Sequence, residues 1–287
     1  MKKFEIKSFC KINLYLRVLK KLPSGYHNIK SLITFCDLHD TISVSKIKGL
    51  KDKIIFSGKF KNGISKKLNT ITKVLYLLRK KNFFLKQAFK INIKKNIPHG
   101  SGLGGGSSNA ADLLNFFNSK MRLQLNNNEM KKIANQIGFD VPVGLVKKNT
   151  FLTGKKDEIL RLNKKFKLNV IIIYPKIICS TKKIYKENKK FTFSKYQSNF
   201  LIKDKNRLIN FLKKQCNDLE KTVIKLHPKV GKVIGFLRFQ DGCYFSRITG
   251  SGSACIGIFS NMRAAVFTYK LVKLKFPKYW CVISKTM

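Results

Sequence analysis

At 287 residues the chain is long enough for about two domains, and its 44% hydrophobic and 11% aromatic residues exclude a disordered, solvating polymer. Sixty (60) Lys and Arg against 14 Asp and Glu give a formal net charge of +46, which brings nucleic acid, a membrane surface or polyphosphate forward as partners. The lysine pairs are scattered, from Lys2-Lys3 through Lys94-Lys95 to Lys213-Lys214, and abundant Ile, Phe and Asn accompany them, so an A+T-rich coding bias and a solvated basic surface explain the charge without a ligand.

The chain opens Met-Lys-Lys, but Glu5, Lys7 and Lys11 interrupt any apolar stretch that would serve as a signal peptide. Ile12, Leu14, Leu16 and Val18 then alternate as in a half-buried strand, with Lys11 and Asn13 on its other face. Pro23-Ser24-Gly25 reads as a turn, and alternation resumes near Ile33, Phe35, Ile42 and Val44, which predicts an antiparallel sheet. Ile71, Val74, Leu75 and Leu78 predict a helix with Asn69 as its N-cap, and Ile91 and Ile93 a short strand running into Pro98. Ala110, Leu113, Leu114 and Phe117 form one apolar face of a helix expected to start near Ser107 or Ser108.

A further helix is expected from about Asn128 to the stop residue Gly138, just ahead of Phe139-Asp140-Val141-Pro142. Val170 to Tyr174 reads as a buried strand and is far too short to span a bilayer. Leu208, Leu212, Leu219, Val223 and Leu226 keep one helical period, and Cys243 to Phe259 reads as two strands around Thr249 to Ser253. The seven cysteines contain no Cys-x-x-Cys pair, which argues against a zinc site or disulfide framework and fits reduced thiols in a cytosol. His39 and His227 have no metal-ligand spacing and read as structural.

The segment from Pro98 to Ala111 carries five glycines in the seven positions from Gly100 to Gly106. Such a loop has few side chains to bar an anion, reaches positive φ, and exposes consecutive backbone N–H donors. Feeding a helix N-terminus, it gains the pull of the unpaired amides and the dipole on phosphate, with Ser107 and Ser108 adding hydroxyls. No Gly-Lys-Ser/Thr follows, so the segment is not a Walker A loop, and Pro98 before it fits a Rossmann fingerprint poorly. His99 within the loop is either a phosphate contact or an ordinary exposed imidazole.

This loop resembles the second motif of the galactokinase, homoserine kinase, mevalonate kinase and phosphomevalonate kinase superfamily. Cys10-Lys-Ile-Asn-Leu14, Ser24-Gly-Tyr-His27, Gly138-Phe-Asp-Val-Pro142, Asn217-Asp-Leu-Glu220 and Thr249-Gly-Ser-Gly-Ser253 follow in order and are similar to motifs of the 4-diphosphocytidyl-2-C-methyl-D-erythritol kinase family. The resemblance implies a two-lobed α+β fold, with a ribosomal S5 domain 2-like N-terminal lobe over 1–153 and a ferredoxin-like C-terminal lobe over 154–287. It implies ATP-dependent phosphorylation of the 2-hydroxyl of 4-diphosphocytidyl-2-C-methyl-D-erythritol in the non-mevalonate isoprenoid pathway, with ATP and Mg2+ as cofactors and ATP and substrate lying between the lobes.

By that resemblance Asp140 is the catalytic base, and Lys11 steadies charge on the carboxylate and the phosphoryl oxygens. ATP falls to Asn69, Lys95, Pro98, Gly100, Ser101, Gly102, Leu103, Gly104, Gly105, Gly106, Ser107 and Ser108. The substrate falls to Asn13, Tyr26, His27, Thr181, Tyr185, Gly250 and Ser251, with Tyr26 and His27 meeting the cytosine and Tyr185 stacking on its other face. Cys10 and Phe139 replace the family's Ala, Ser24 its Asp, and Tyr185 its Phe; the Phe139 ring stands beside the proposed base. No carboxylate lies within Pro98 to Ala111, so no protein ligand for the metal is assigned. The expected setting is cytoplasmic, as a monomer or homodimer with a small-molecule substrate, no membrane and no specific nucleic acid. A kinase for homoserine or mevalonate, and a basic nucleic-acid-binding protein that has lost catalysis, are the alternatives.

Overall fold

A computed structural model of the chain describes residues 3–23, 25–65, 67–154, 158–192 and 204–287; Ser24 of the Ser-Gly-Tyr-His motif lies outside them. The chain forms two compact units, each assembled from separated segments: Met1–Lys11, Leu38–His99 and Gly104–Lys147 make the first, and Ile12–Asp37, Gly100–Leu103 and Lys148–Met287 the second. Two long strands, β1 (Lys3–Lys21) and β2 (His27–Ile47), pair with each other and pass from one unit into the other. Both run well past the alternating stretches that predict them.

In the first unit the end of β2 pairs antiparallel with β4 (Ala88–Lys94), and β3 (Lys53–Ser57) pairs parallel with the far edge of β4, so the sheet is mixed rather than antiparallel. Four helices belong here: α1 (Thr70–Lys80), α2 (Gly105–Lys120), α3 (Asn127–Ile137) and the single turn α4 (Val141–Gly144). Asn69 caps α1 as expected, and Asn126 caps α3 in the same reciprocal manner with Glu129. Ile42, Val44, Ile91 and Ile93 of the strands meet Val74, Leu78, Leu113, Leu114, Phe117 and Ile133 of the helices in one buried core. Phe89 and Phe117 lie with ring centroids 4.9 Å apart at its centre.

In the second unit, near its start, β2 pairs with β5 (Thr150–Thr153), which pairs with β6 (Glu158–Arg161). A four-stranded antiparallel sheet follows from β7 (Asn169–Tyr174), β8 (Cys243–Ile248), β9 (Cys255–Phe259) and β10 (Trp280–Lys285), in the order β10-β7-β9-β8. Between β7 and β8 run α5 (Thr181–Glu187), α6 (Lys205–Lys213), α7 (Glu220–Leu226) and α8 (Pro228–Arg238), and α9 (Met262–Lys275) joins β9 to β10. Strand order and the β-α-β-β-α-β succession make this a ferredoxin-like arrangement. Ile171, Ile173, Val223, Val233, Leu237, Phe259 and Val272 fill its core.

The apolar period from Leu208 to Leu226 does not form one helix. It breaks after Lys213 because the backbone at residues 216–218 pairs with β1 instead: Leu16 N–H donates to Cys216 O at 3.1 Å and Asp218 N–H to Leu16 O at 2.9 Å. Among the described residues no helix is long and apolar enough to cross a membrane.

Candidate functional site

The glycine segment divides between the two units, residues 100–103 belonging to the second and 104 onward to the first. In the first unit α2 begins at Gly105, two or three residues ahead of the expected start, because glycines carry no apolar period and the signal first appears at Ala110. Gly104 stands at the N-cap with φ +69° and has no side chain with which to cap, so the first-turn amides are left to outside acceptors. A Cβ on Gly104 would lie 2.6 Å from Lys11 Cγ, so the lysine stem lies directly against the loop. At the far end of that stem, Lys11 Nζ stands 3.6 Å from Asp140 Oδ2, with the lysine side chain 9% and the aspartate 34% exposed. Asp140 precedes α4, yet its side chain makes no capping hydrogen bond there. Phe139 beside it is 46% exposed.

Beneath the loop Lys95 is buried, its ammonium paired with the carboxylate of Asp40 and donating to Asn109 Oδ1 of α2 at 2.8 Å. Burial lowers the lysine's pKa, and Asp40 opposes the shift. The other Asp40 oxygen accepts the N–H groups of Asn96 at 2.7 Å and Ile97 at 2.9 Å, so one acid fixes the strand exit that leads into the buried Pro98. Asp40 belongs to no spaced motif, and its only signal is the scarcity of acids in so basic a chain; Asn109 lies within the segment from Pro98 to Ala111, but nothing local points to a lysine partner for it. Asn69 uses its side chain on α1, accepting from Ile71 and Thr72 N–H at 2.9 and 3.0 Å, while its neighbour Thr70 donates to Gly106 O at 2.9 Å. Ser107 is half-buried, Ser108 buried, and His99 Nε2 lies 2.8 Å from Asn62 O.

In the second unit the start of the loop packs backbone against backbone. Gly102 has φ +85°, and a Cβ there would come within 2.2 Å of Thr249 O. Cys179 N–H donates to Gly100 O at 3.3 Å and Ala254 N–H to Ser101 O at 2.9 Å, while Leu103 is fully buried. Asn13 donates its own N–H to Thr249 Oγ1 at 2.9 Å and its amide to Ser31 Oγ at 2.8 Å. The hydroxyls of Thr181 and Ser251 are 2.9 Å apart. Asn217, whose role the sequence leaves open, donates to Gly250 O at 2.8 Å and Ile248 O at 3.2 Å, while Glu220 accepts from Ile248 N–H at 3.0 Å. The Asn-Asp-Leu-Glu segment therefore holds the turn that meets the loop.

Also in this unit, the His27 ring lies 5.1 Å from Tyr185 at 39° and 6.2 Å from Phe191 at 15°. Burial, and then the charge of Lys21, lower the His27 pKa from 6.5, so at neutral pH the imidazole offers one donor and one acceptor. Tyr26 is 54% exposed. Phe191 carries no motif signal and is an addition to the expected aromatic set.

Similarity to known proteins falls along the same segments. Residues 69–148 match the family described as GHMP kinases N terminal domain, and residues 198–276 that described as GHMP kinases C terminal. A 4-diphosphocytidyl-2-C-methyl-D-erythritol kinase of Pelagibacter ubique is 40% identical over all 287 residues, covering 100% of both chains. One from Caldicellulosiruptor saccharolyticus is 32% identical over 259 residues, 89% of this chain and 88% of its own. Among solved structures, a 4-(cytidine 5'-diphospho)-2C-methyl-D-erythritol kinase superposes with TM-score 0.77 at 22% identity, over 99% of this chain and 100% of its own. Homoserine kinase from Cytophaga hutchinsonii superposes with TM-score 0.70 at 15% identity, over 100% and 95%. The chain belongs to the GHMP kinases, a class of small-molecule kinases, and within them to the 4-diphosphocytidyl-2-C-methyl-D-erythritol kinase family.

Proposed function

We propose that this chain transfers the γ-phosphoryl group of ATP to the 2-hydroxyl of 4-diphosphocytidyl-2-C-methyl-D-erythritol, a step of the non-mevalonate route to isoprenoid precursors. The observation that carries the reading is the Lys11–Asp140 pair, whose lysine stem lies against Gly104 of the glycine loop. Phosphoryl transfer asks mainly for positioning and charge compensation. Asp140 takes the proton of the acceptor hydroxyl as its oxygen bonds to the γ-phosphorus and the bond to the β-phosphate oxygen breaks, releasing ADP. Lys11 offsets the charge on the moving phosphoryl oxygens. The amides of Gly100 to Ser108, Ser101 and Leu103 among them, cradle the phosphates, with Pro98, Asn69 and Lys95 on the nucleoside side.

Magnesium takes hard oxygen ligands and keeps several waters. The half-buried hydroxyl of Ser107 and that of Ser108 fit such an ion alongside phosphate oxygens. When bound, such an ion would offset negative charge on the phosphate oxygens. Tyr26, His27 and Tyr185 take the cytosine, with the close His27–Tyr185 ring pair in support. Asn13, Thr181, Gly250 and Ser251 hold the remainder of the substrate. We assign the lobes to residues 1–153 and 154–287, and the enzyme to the cytoplasm as a monomer or homodimer with no specific nucleic-acid partner.

Incubating the protein with ATP and magnesium and offering three acceptors in turn tests the reading. Phosphate transfer to the cytidyl substrate but not to homoserine or mevalonate is expected. Transfer to either of the others instead, or none at all together with tight, salt-sensitive RNA binding, overturns it.

A further inference from the structure

Asp140 is carried by α4, one turn of four residues, and a single turn has no stability of its own. Its position is set by what holds it: in the first unit Gly138, just past α3, accepts the Val141 N–H at 3.0 Å, and the rest of α4 packs on α2, the helix that opens at the glycine loop. Three ties join them. Gly144 lies so close to α2 that a Cβ on it would stand 2.8 Å from Ala111 Cβ and 3.8 Å from the backbone oxygen of Ser107. Asn115 Nδ2 donates to Leu145 O at 2.9 Å. Lys147 Nζ donates to Gly144 O at 2.8 Å and stands 2.9 Å from Asp112 Oδ1, with the side chains 20% and 10% exposed. Asp112 sits four residues beyond Ser108, one turn further along α2 from the loop.

We infer that the Asp112–Lys147 pair is a positioning clamp that sets the Asp140 carboxylate against the glycine loop through α4, and so governs the rate of transfer rather than the hold on nucleotide. The inference rests on the functional reading above. Two of the ties, the Gly144 contact and the Asn115 bond, fix the height of α4 on α2. Lys147 adds what they lack: it bridges the last carbonyl of α4 to a charge on α2 and so restrains rotation of the short turn. Rotation is what would swing Asp140, at the start of that turn, away from Lys11. The nucleotide-holding amides lie in the loop ahead of α2 and in its first turn, before Asp112 in the chain, so the clamp is expected to leave them in place.

The test uses the full chain with Asp112→Asn, Lys147→Met and the double change Asp112→Leu/Lys147→Met. The double change removes both charges and leaves no uncompensated ion in the interior, so it keeps a folded protein for comparison. Turnover with the cytidyl substrate and equilibrium binding of ADP are measured on all. Expected are a fall in kcat of about tenfold or more in every variant, with ADP affinity within about twofold of the parent. Lys147→Arg, which keeps the charge and the donors, is expected to restore most of kcat. If kcat recovers in the double variant along with thermal stability, or ADP affinity falls in step with kcat, the clamp is merely structural and the inference is overturned. A parent protein that transfers no phosphate to the cytidyl substrate overturns the functional reading, and this inference with it; an active parent with fully active variants overturns the inference alone.

Discussion

A methyl group at position 104 meets two obstacles at once. The φ of +69° costs an L-residue roughly 1–2 kcal/mol, and the added carbon would lie 2.6 Å from Lys11 Cγ, near the root of that side chain where it has little freedom to give way. Gly104→Ala therefore displaces the Lys11 stem, and with it the ammonium that faces Asp140. Turnover is expected to fall at least about tenfold, in line with small misplacements of catalytic groups; a kcat equal to that of the parent would show that Lys11 does not depend on this contact. At this scale the sequence is informative about the loop, since its glycines stand where backbone approaches within a side chain's width, as Gly102 does against Thr249 O. It is silent about Asp40, Asn109 and Asp112, which act through partners distant along the chain: Lys95 lies 55 residues from Asp40.

Between elements, one buried cation joins three of them. Arg247 of β8 donates to Leu14 O of β1 at 2.9 Å and to Leu212 O of α6 at 2.9 Å, and its guanidinium lies 4.0 Å from the centre of the Phe245 ring. Replacing it with Met leaves two interior carbonyls without that donor, each worth about 1–3 kcal/mol. Arg247→Met is expected to lower unfolding free energy by about 2–4 kcal/mol, read from the urea midpoint; an unchanged midpoint would mean water takes over both carbonyls. Elements with a clean period were legible: the strand around Ile91, the capped helix after Asn69, and the two strands about the 249–253 turn. Periodicity failed where another force decides the backbone. At α2 the first turn is glycine and serine, and between α6 and α7 the chain leaves its helical period to pair with Leu16.

Across the whole molecule the charge is unevenly employed. Among the described residues the acids Asp40, Asp52, Asp112, Asp140, Asp204 and Asp218 stand in ion pairs, and the side chains of Asp40, Asp52, Asp112 and Asp218 are no more than 13% exposed. The lysine excess is scattered along the sequence without a spaced pattern, which is why composition alone points first to nucleic acid and the motifs point elsewhere. What the family resemblance supplies beyond physics is the pairing of Lys11 with Asp140, 129 positions apart, which local sequence reads as one lysine among many and one turn carboxylate. That pair is the centre of the account. Single-turnover transfer from ATP to the cytidyl substrate by Asp140→Asn, at saturating concentrations of both, tests it most directly. The rate is predicted to drop by about 10²–10⁴ while ADP affinity stays within about twofold of the parent; a rate within about threefold of the parent would contradict the assignment of Asp140 as the proton acceptor.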